Sequence, residues 1–256
     1  MMSTFKLTIA YDGTEFAGWA RQPGLRTVQG VLEAAVGQIL GGEEVALTVA
    51  GRTDAGVHAI GQVASVELGR EPPDRFAERI SAVLPRDVSV SACERAPDGF
   101  DARRWARSRS YRYRVLTAPA RNPFEEGRAL WWAYLLDRVA LDECAAAIVG
   151  EHDFTAFTPT ETEHVRFERV VLRSEWVDEA EDVLAFEITA DAFMRNMIRV
   201  LVGTMLEVAA GKREVADFLA LLAGAPRERA GETAPAHGLY FTGAEFGDGR
   251  TFVHPS

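Results

Sequence analysis

Lysine is almost missing from this chain. It occurs only at Lys6 and Lys212, so nearly all of the 28 basic residues are arginine. Cysteine is equally scarce. Cys93 and Cys144 cannot build a zinc cluster and do not form a disulfide framework, so a reducing, cytoplasmic setting is the default expectation. No apolar run approaches the ~18 residues of a membrane span. The segment Met1 to Ile9 lacks the charged stretch and apolar core of a secretory signal. No membrane partner is therefore expected. Neither a glycine-rich nucleotide-binding motif nor a set of metal-ligand spacings is found, so no cofactor and no metal site is expected. What is present is ample apolar material, 47% of 256 residues, enough for one large domain or two ordinary ones.

The net charge of −10 argues against a polyanionic partner if taken alone. Its distribution argues otherwise. Between Arg95 and Arg121 stand Arg95, Arg103, Arg104, Arg107, Arg109, Arg112, Arg114 and Arg121, opposed only by Asp98 and Asp101, which leaves +6 in an otherwise acidic protein. Guanidinium groups offer planar paired donors to phosphate and stack on bases.

Periodicity divides the chain into two halves of the same order. In the first, Phe5–Tyr11 alternates as a strand. A helix follows Thr27 as its N-cap, with Val28, Val31, Leu32, Ala35, Val36 and Ile39 on one face, and ends at Gly41-Gly42. Strands are expected at 45–50 and 57–68. A second helix opens at Pro72-Pro73-Asp74 with Phe76, Ile80 and Val83 inward, and a strand follows at 88–93. The second half offers a strand at 107–117, a helical stripe from Leu141 to Val149, and strands at 167–177 and 183–190. A long helix over 193–210, a short one at 215–222 and a last strand at 239–246 complete it. Each half reads strand–helix–strand–strand–helix–strand, the ferredoxin-like unit. The expectation is an α+β fold of two such halves, 1–104 and 105–256, with antiparallel sheets related by a pseudo-twofold and a cleft between them.

The segment Gly51-Arg52-Thr53-Asp54-Ala55-Gly56-Val57-His58-Ala59 sets a cation and an anion between two glycines, with little bulk. Glycine permits tight turns and close approach of a ligand. On the residues alone this is equally a decorated hairpin, with Asp54 in an Asx-type turn and Arg52 solvated.

This segment resembles the signature of the tRNA pseudouridine synthase A family, and the resemblance extends in order along the chain. It includes Tyr11-Asp12-Gly13-Thr14, Phe16-Ala17-Gly18-Trp19, Thr27-Val28-Gln29 and Ser110-Tyr111-Arg112-Tyr113. Phe154-Thr155, Met197-Ile198-Arg199 and Gly238-Leu239-Tyr240 continue it. Ala20 and Ile198 depart from the usual Gln and Val. The resemblance implies a homodimeric isomerase that converts uridine to pseudouridine at positions 38, 39 and 40 of the tRNA anticodon stem–loop, without a cofactor.

It further implies Asp54 as the catalytic nucleophile. Attack at C1′, attack at C6 and removal of a sugar proton remain open. Tyr111 would contact the uracil, by stacking or as a base for the C5 proton, while Tyr113, on the same strand face, is read as core. Arg199 lies on an apolar helix, in one row with Arg195, Gly203 and Glu207. It either snorkels, pairs locally with Glu207, or, as the resemblance implies, pairs with Asp54. Arg52 would bind a phosphate or fill the space left by the flipped base. Arg103, Arg107, Arg109, Arg112 and Arg114 are the candidate RNA contacts. His58 is read as structural, Trp19, Trp131 and Trp132 as core or dimer packing, and Asp178-Glu179-Glu181-Asp182 as a solvated hairpin tip. Two rival readings stand beside the isomerase, a noncatalytic RNA-binding module and a hydrolase that uses Asp54 on a small substrate.

Overall fold

The computed structural model describes residues 2–161 and 165–247. In chain order the elements are β1 (Ser3–Tyr11), α1 (Val28–Ile39), β2 (Leu47–Val49), β3 (His58–Leu68), α2 (Phe76–Val83), β4 (Val88–Arg95) and β5 (Ala106–Leu116). They continue with β6 (Leu130–Trp131), α3 (Arg138–Ile148), β7 (Gly150–Asp153), β8 (Glu168–Ala180), β9 (Val183–Ala190), α4 (Met197–Ala209), α5 (Val215–Leu221) and β10 (Leu239–Phe246). The result is a mixed α/β protein with mostly antiparallel strand pairing and five helices among the described residues. No helix among them is long and apolar enough to cross a membrane.

The chain forms two compact units. One runs to Arg109 and regains the chain from Phe241 onward; the other is Ser110–Tyr240. These units and the expected division at residue 104 differ in two places, and both have a local cause. The start of β5 is held in the first unit, where Arg109 donates through Nε to the Ala50 carbonyl at 3.0 Å and through Nη2 to that of Arg103 at 2.8 Å. The last strand, β10, lies beside β3, so the end of the chain completes the sheet of the first unit.

In the first unit β1 pairs antiparallel with both β3 and β4, and β2 pairs with β3. Helix α1 starts where expected because Thr27 Oγ1 accepts the Gly30 N–H at 3.3 Å. Its buried stripe includes one charged residue, Glu33, whose carboxylate accepts from the Leu47 amide at 3.0 Å and from Gln29 Nε2 at 2.8 Å. That buried acid ties β2 to the helix, so it is satisfied rather than stranded. In α2, Phe76 and Ile80 are buried as expected, but Val83 is 39% exposed because the helix ends there.

In the second unit the strand order is β5-β9-β8-β7. Helix α4 begins at Met197, four residues later than the apolar periodicity predicts, because Asn196 adopts a left-handed backbone (φ 61°) that no helix interior tolerates. The helix is buried over most of its circumference, and only the row Arg199, Gly203, Glu207 departs from this.

The segment 231–235 lies along that row. Gly231 donates to Thr204 Oγ1 at 3.0 Å, Glu232 N–H to Glu207 Oε1 at 3.0 Å, and Ala234 N–H to the Arg199 carbonyl at 3.0 Å. Gly203 makes the approach possible, since a Cβ there would sit 1.9 Å from the Glu232 carbonyl oxygen. Gly203→Ala should therefore destabilise the fold by about 2 kcal/mol, the cost of forcing extra bulk into a packed contact. Gly243→Ala, which meets nothing within 4 Å, should stay within about 0.5 kcal/mol. Urea denaturation midpoints of the two variants test the pair.

Candidate active site

The turn between β2 and β3 is fixed from below by residues far away in sequence. Tyr11, at the end of β1, places its hydroxyl 2.7 Å from Thr53 Oγ1. Gln62, buried in β3, donates from Nε2 to the Gly51 carbonyl at 2.9 Å and approaches the Tyr11 oxygen at 3.4 Å. The Thr53 carbonyl receives the Trp19 N–H at 3.0 Å. The Asp54 carbonyl closes the turn onto Val57 N–H at 3.2 Å, and Gly56 N–H reaches the Phe16 carbonyl at 3.3 Å. Two glycines of the opening segment admit this crowding. Gly18, at φ +94°, would carry a Cβ 2.9 Å from the Thr53 oxygen, and a Cβ on Gly13 would lie 2.0 Å from that of Val57.

His58 is buried under the same turn. Its Nδ1 accepts the Gly13 N–H at 2.9 Å, which leaves the neutral ring's proton on Nε2. The ring thus supports the loop, in keeping with its structural reading. Asp12, 3.2 Å from that nitrogen, holds the Thr14 amide and hydroxyl.

Within this scaffold Arg52 is exposed and Asp54 half-buried. Neither side chain makes a hydrogen bond or ion pair among the described residues. The backbone on both sides of Asp54 is committed, and its carboxylate is not.

In the second unit Tyr111 and Tyr113 share the buried face of β5, at 8% and 0% exposure. Tyr113 is core, as expected, and donates to the Pro235 carbonyl at 2.9 Å. Tyr111 meets Phe193 edge-on, with ring centroids 5.0 Å apart. Arg199 is half-buried. Its Nε donates to the Ala234 carbonyl at 2.6 Å and its Nη1 to Asn196 Oδ1 at 2.9 Å. The local pairing with Glu207 does not occur. Glu207 is taken by Arg213, which lies within hydrogen-bond reach of Oε2, and by the Glu232 amide. Arg199 Nη2 has no partner among the described residues.

The five candidate RNA arginines divide by what they already touch. Arg103 and Arg107 are exposed. Arg109 is bound to backbone carbonyls. Arg112 pairs with Glu187 at 2.6 Å and Glu179 at 2.9 Å, and Arg114 with Glu125 and Glu179. Burial works against the charge on Arg114, but its hydrogen bonds to Glu125 and Glu179 more than restore it and raise its pKa. The acidic hairpin tip is accordingly more than a solvated turn. Glu179 bridges two arginines, Asp178 pairs with Arg138 at 3.0 Å, and the Asp182 carbonyl receives the Thr117 amide at 2.7 Å.

The supports of the loop, Tyr11, Thr53 and Gln62, were not among the residues singled out from sequence. Gln62 carried a usable signal, because a lone amide inside the apolar strand 58–68 must find a buried partner. Asn196 fell inside the helix expected over 193–210, and its periodicity gave no sign that the helix starts after it.

A family model described as tRNA pseudouridine synthase matches residues 7–103 and 144–247. The chain belongs to the tRNA pseudouridine synthase family and is an isomerase of that class, whose members turn uridine in tRNA into pseudouridine. It is similar to the tRNA pseudouridine synthase A of Frankia casuarinae, 44% identical over 91% of this chain and 86% of the relative. The enzyme of the same name from Halalkalibacterium halodurans is 40% identical over 93% and 90%, respectively. That of Brachyspira hyodysenteriae is 39% identical over 96% of this chain and all of the relative.

Burial under the loop pushes the Tyr11 phenol up to about 12 from its ordinary 10.0, against the opposing hydrogen bonds to Thr53 and Gln62. A folded-state pKa above the unfolded one contributes stability that is complete below about pH 10 and is lost as pH rises toward 12. Between about pH 9 and 11.5 the wild type should therefore lose on the order of 2 kcal/mol more than Tyr11→Phe. Urea midpoints across that range measure the difference; parallel curves would show that Tyr11 carries none of the slope.

Proposed function

We propose that this isomerase acts on uridines 38, 39 and 40 of the tRNA anticodon stem–loop, with Asp54 as catalytic nucleophile and no cofactor. One contrast carries the reading. Thr53 and the turn after it are pinned by hydrogen bonds, whereas the Asp54 carboxylate is half-buried and makes no hydrogen bond among the described residues. An uncommitted carboxylate on a rigid turn is a nucleophile already oriented, and orientation is a large part of what catalysis requires.

The chemistry needs no redox partner. The bond between C1′ and N1 breaks, the uracil turns, C1′ joins C5, the C5 proton departs and N1 gains one. A carboxylate serves each route, by adding to C1′ or C6 and leaving again, or by taking a sugar proton. In this reading Tyr111 stacks on the uracil, an interaction of about 1–3 kcal/mol per base. Arg52 takes a phosphate or fills the vacated stack. Arg199 is the counter-cation of Asp54, consistent with its unspent Nη2 donors. Arg103 and Arg107, both at exposed positions, take phosphates; Arg109, Arg112 and Arg114 shape the strand that presents them.

The strand order β4-β1-β3-β2 of the first unit supports a ferredoxin-like assignment for it, and the same architecture is proposed for the second. A homodimer working in the cytoplasm completes the proposal, on the strength of the family resemblance and the sparse cysteine. The names of the relatives support tRNA as the substrate.

The test uses tRNA tritiated at uridine C5. Wild type should release tritium to water without added metal or nucleotide, and tRNA with cytidine at 38–40 should release none. Asp54→Asn should fall by at least about 10⁴-fold, as expected for loss of a nucleophile; wild-type release from it would end the assignment. Arg199→Met should lower turnover by about 10²–10³-fold while tRNA affinity, measured by filter binding, changes by less than about threefold. A normal rate would leave Arg199 a structural residue.

A further inference from the structure

We propose that Tyr11 is a positioning residue for the isomerisation, acting through Thr53 to hold the peptide that carries Asp54. The proposal rests on the reading of Asp54 given above and adds a residue to it.

Gln62 Nε2 points at the Tyr11 oxygen and can only donate. The same oxygen shares a hydrogen bond with Thr53 Oγ1, 2.7 Å away, in which either hydroxyl can donate. Thr53 is buried and is gripped a second time through its carbonyl, which accepts from Trp19. One residue later the Asp54 carbonyl is engaged by Val57. The Asp54 Cα is thus suspended between two fixed peptides, and among the described residues the Tyr11 hydroxyl is the side-chain hydrogen-bond partner that reaches Thr53 from the sheet.

The ring and the hydroxyl have separable duties. The ring is core, 4% exposed, with its centroid 6.0 Å from that of Trp19. Phenylalanine would keep that packing. Among the described residues the side chain's hydrogen bond to the loop runs through the hydroxyl. Since a displacement of ~1 Å in a catalytic group can lower a rate about 10²-fold, loss of the hydroxyl should appear in the chemical step and leave tRNA binding alone.

The experiment is single-turnover tritium release at saturating tRNA, with affinity and thermal midpoint measured on the same preparations. Tyr11→Phe and Thr53→Val should each slow release by about 10- to 100-fold, with tRNA Kd within about twofold. Thr53→Ser keeps the hydroxyl and should recover to within about threefold of wild type. If the two residues act through one another, the double variant should be no slower than the slower single one.

A Tyr11→Phe protein with the wild-type rate overturns the proposal. So does a double variant whose losses multiply, or a rate loss in Thr53→Ser equal to that of Thr53→Val. Asp54→Asn in the same assay keeps the two ideas apart. Continued turnover by it removes the reading of Asp54, whereas an inactive Asp54→Asn beside a fully active Tyr11→Phe removes only the positioning role.

Discussion

The contact between the Tyr11 hydroxyl and Thr53 joins the end of the first strand to a turn 42 residues away, and much of the first unit is arranged around it. Gly13 and Gly18 are small because Val57 and Thr53 approach them closely. Trp19 is buried with its amide turned toward the Thr53 carbonyl, and Val28 and Gln29, at the start of α1, donate to the carbonyls of Gly18 and Trp19. The opening segment therefore bonds to the turn that carries Asp54 on one side and to a helix on the other. A loop that must carry an ionised group near solvent can still be rigid if its backbone bonds are made to buried elements.

The second unit solves a different problem, the accommodation of many arginines. Arg112, Arg114 and Arg173 are matched by Glu125, Glu179, Glu175 and Glu187, so most of that charge is spent inside the unit. Exposed pairs of this kind add little stability individually, and a shared network adds geometry more than energy. Arg199 belongs to another arrangement. Its carbonyl and Nε both meet Ala234, so the strap over α4 fixes backbone and guanidinium together.

What could be read from the sequence was local. The bounds of β9 and β10 and the capped start of α1 follow from alternation and from Thr27, because the responsible residues are adjacent in sequence. The turn around Asp54 was visible in its composition, two glycines and little bulk around an acid. What could not be read was long-range or too short to carry a period. The strands β6 and β7 span two and four residues. The late start of α4 depends on one left-handed asparagine. The net charge of the basic stretch gave no hint that Arg114 would find its acids at Glu125 and Glu179. The supports under Asp54 were hidden for the same reason, since Tyr11, Thr53 and Gln62 meet only after three strands have paired.

The assignment of β10 to the first unit bears on how the chain is made. A ribosome delivers β1 to β4 before β10, the other neighbour of β3, which follows only after the whole of Ser110–Tyr240 has been synthesised. At elongation speeds of about 5–20 residues per second that interval is on the order of ten seconds. Throughout it the part of the β3 edge that β2 does not cover stays unpaired, the kind of surface to which chaperones and other strands are drawn. The first unit's sheet, begun before the second unit is made, is consequently completed only after it, once β10 has been synthesised.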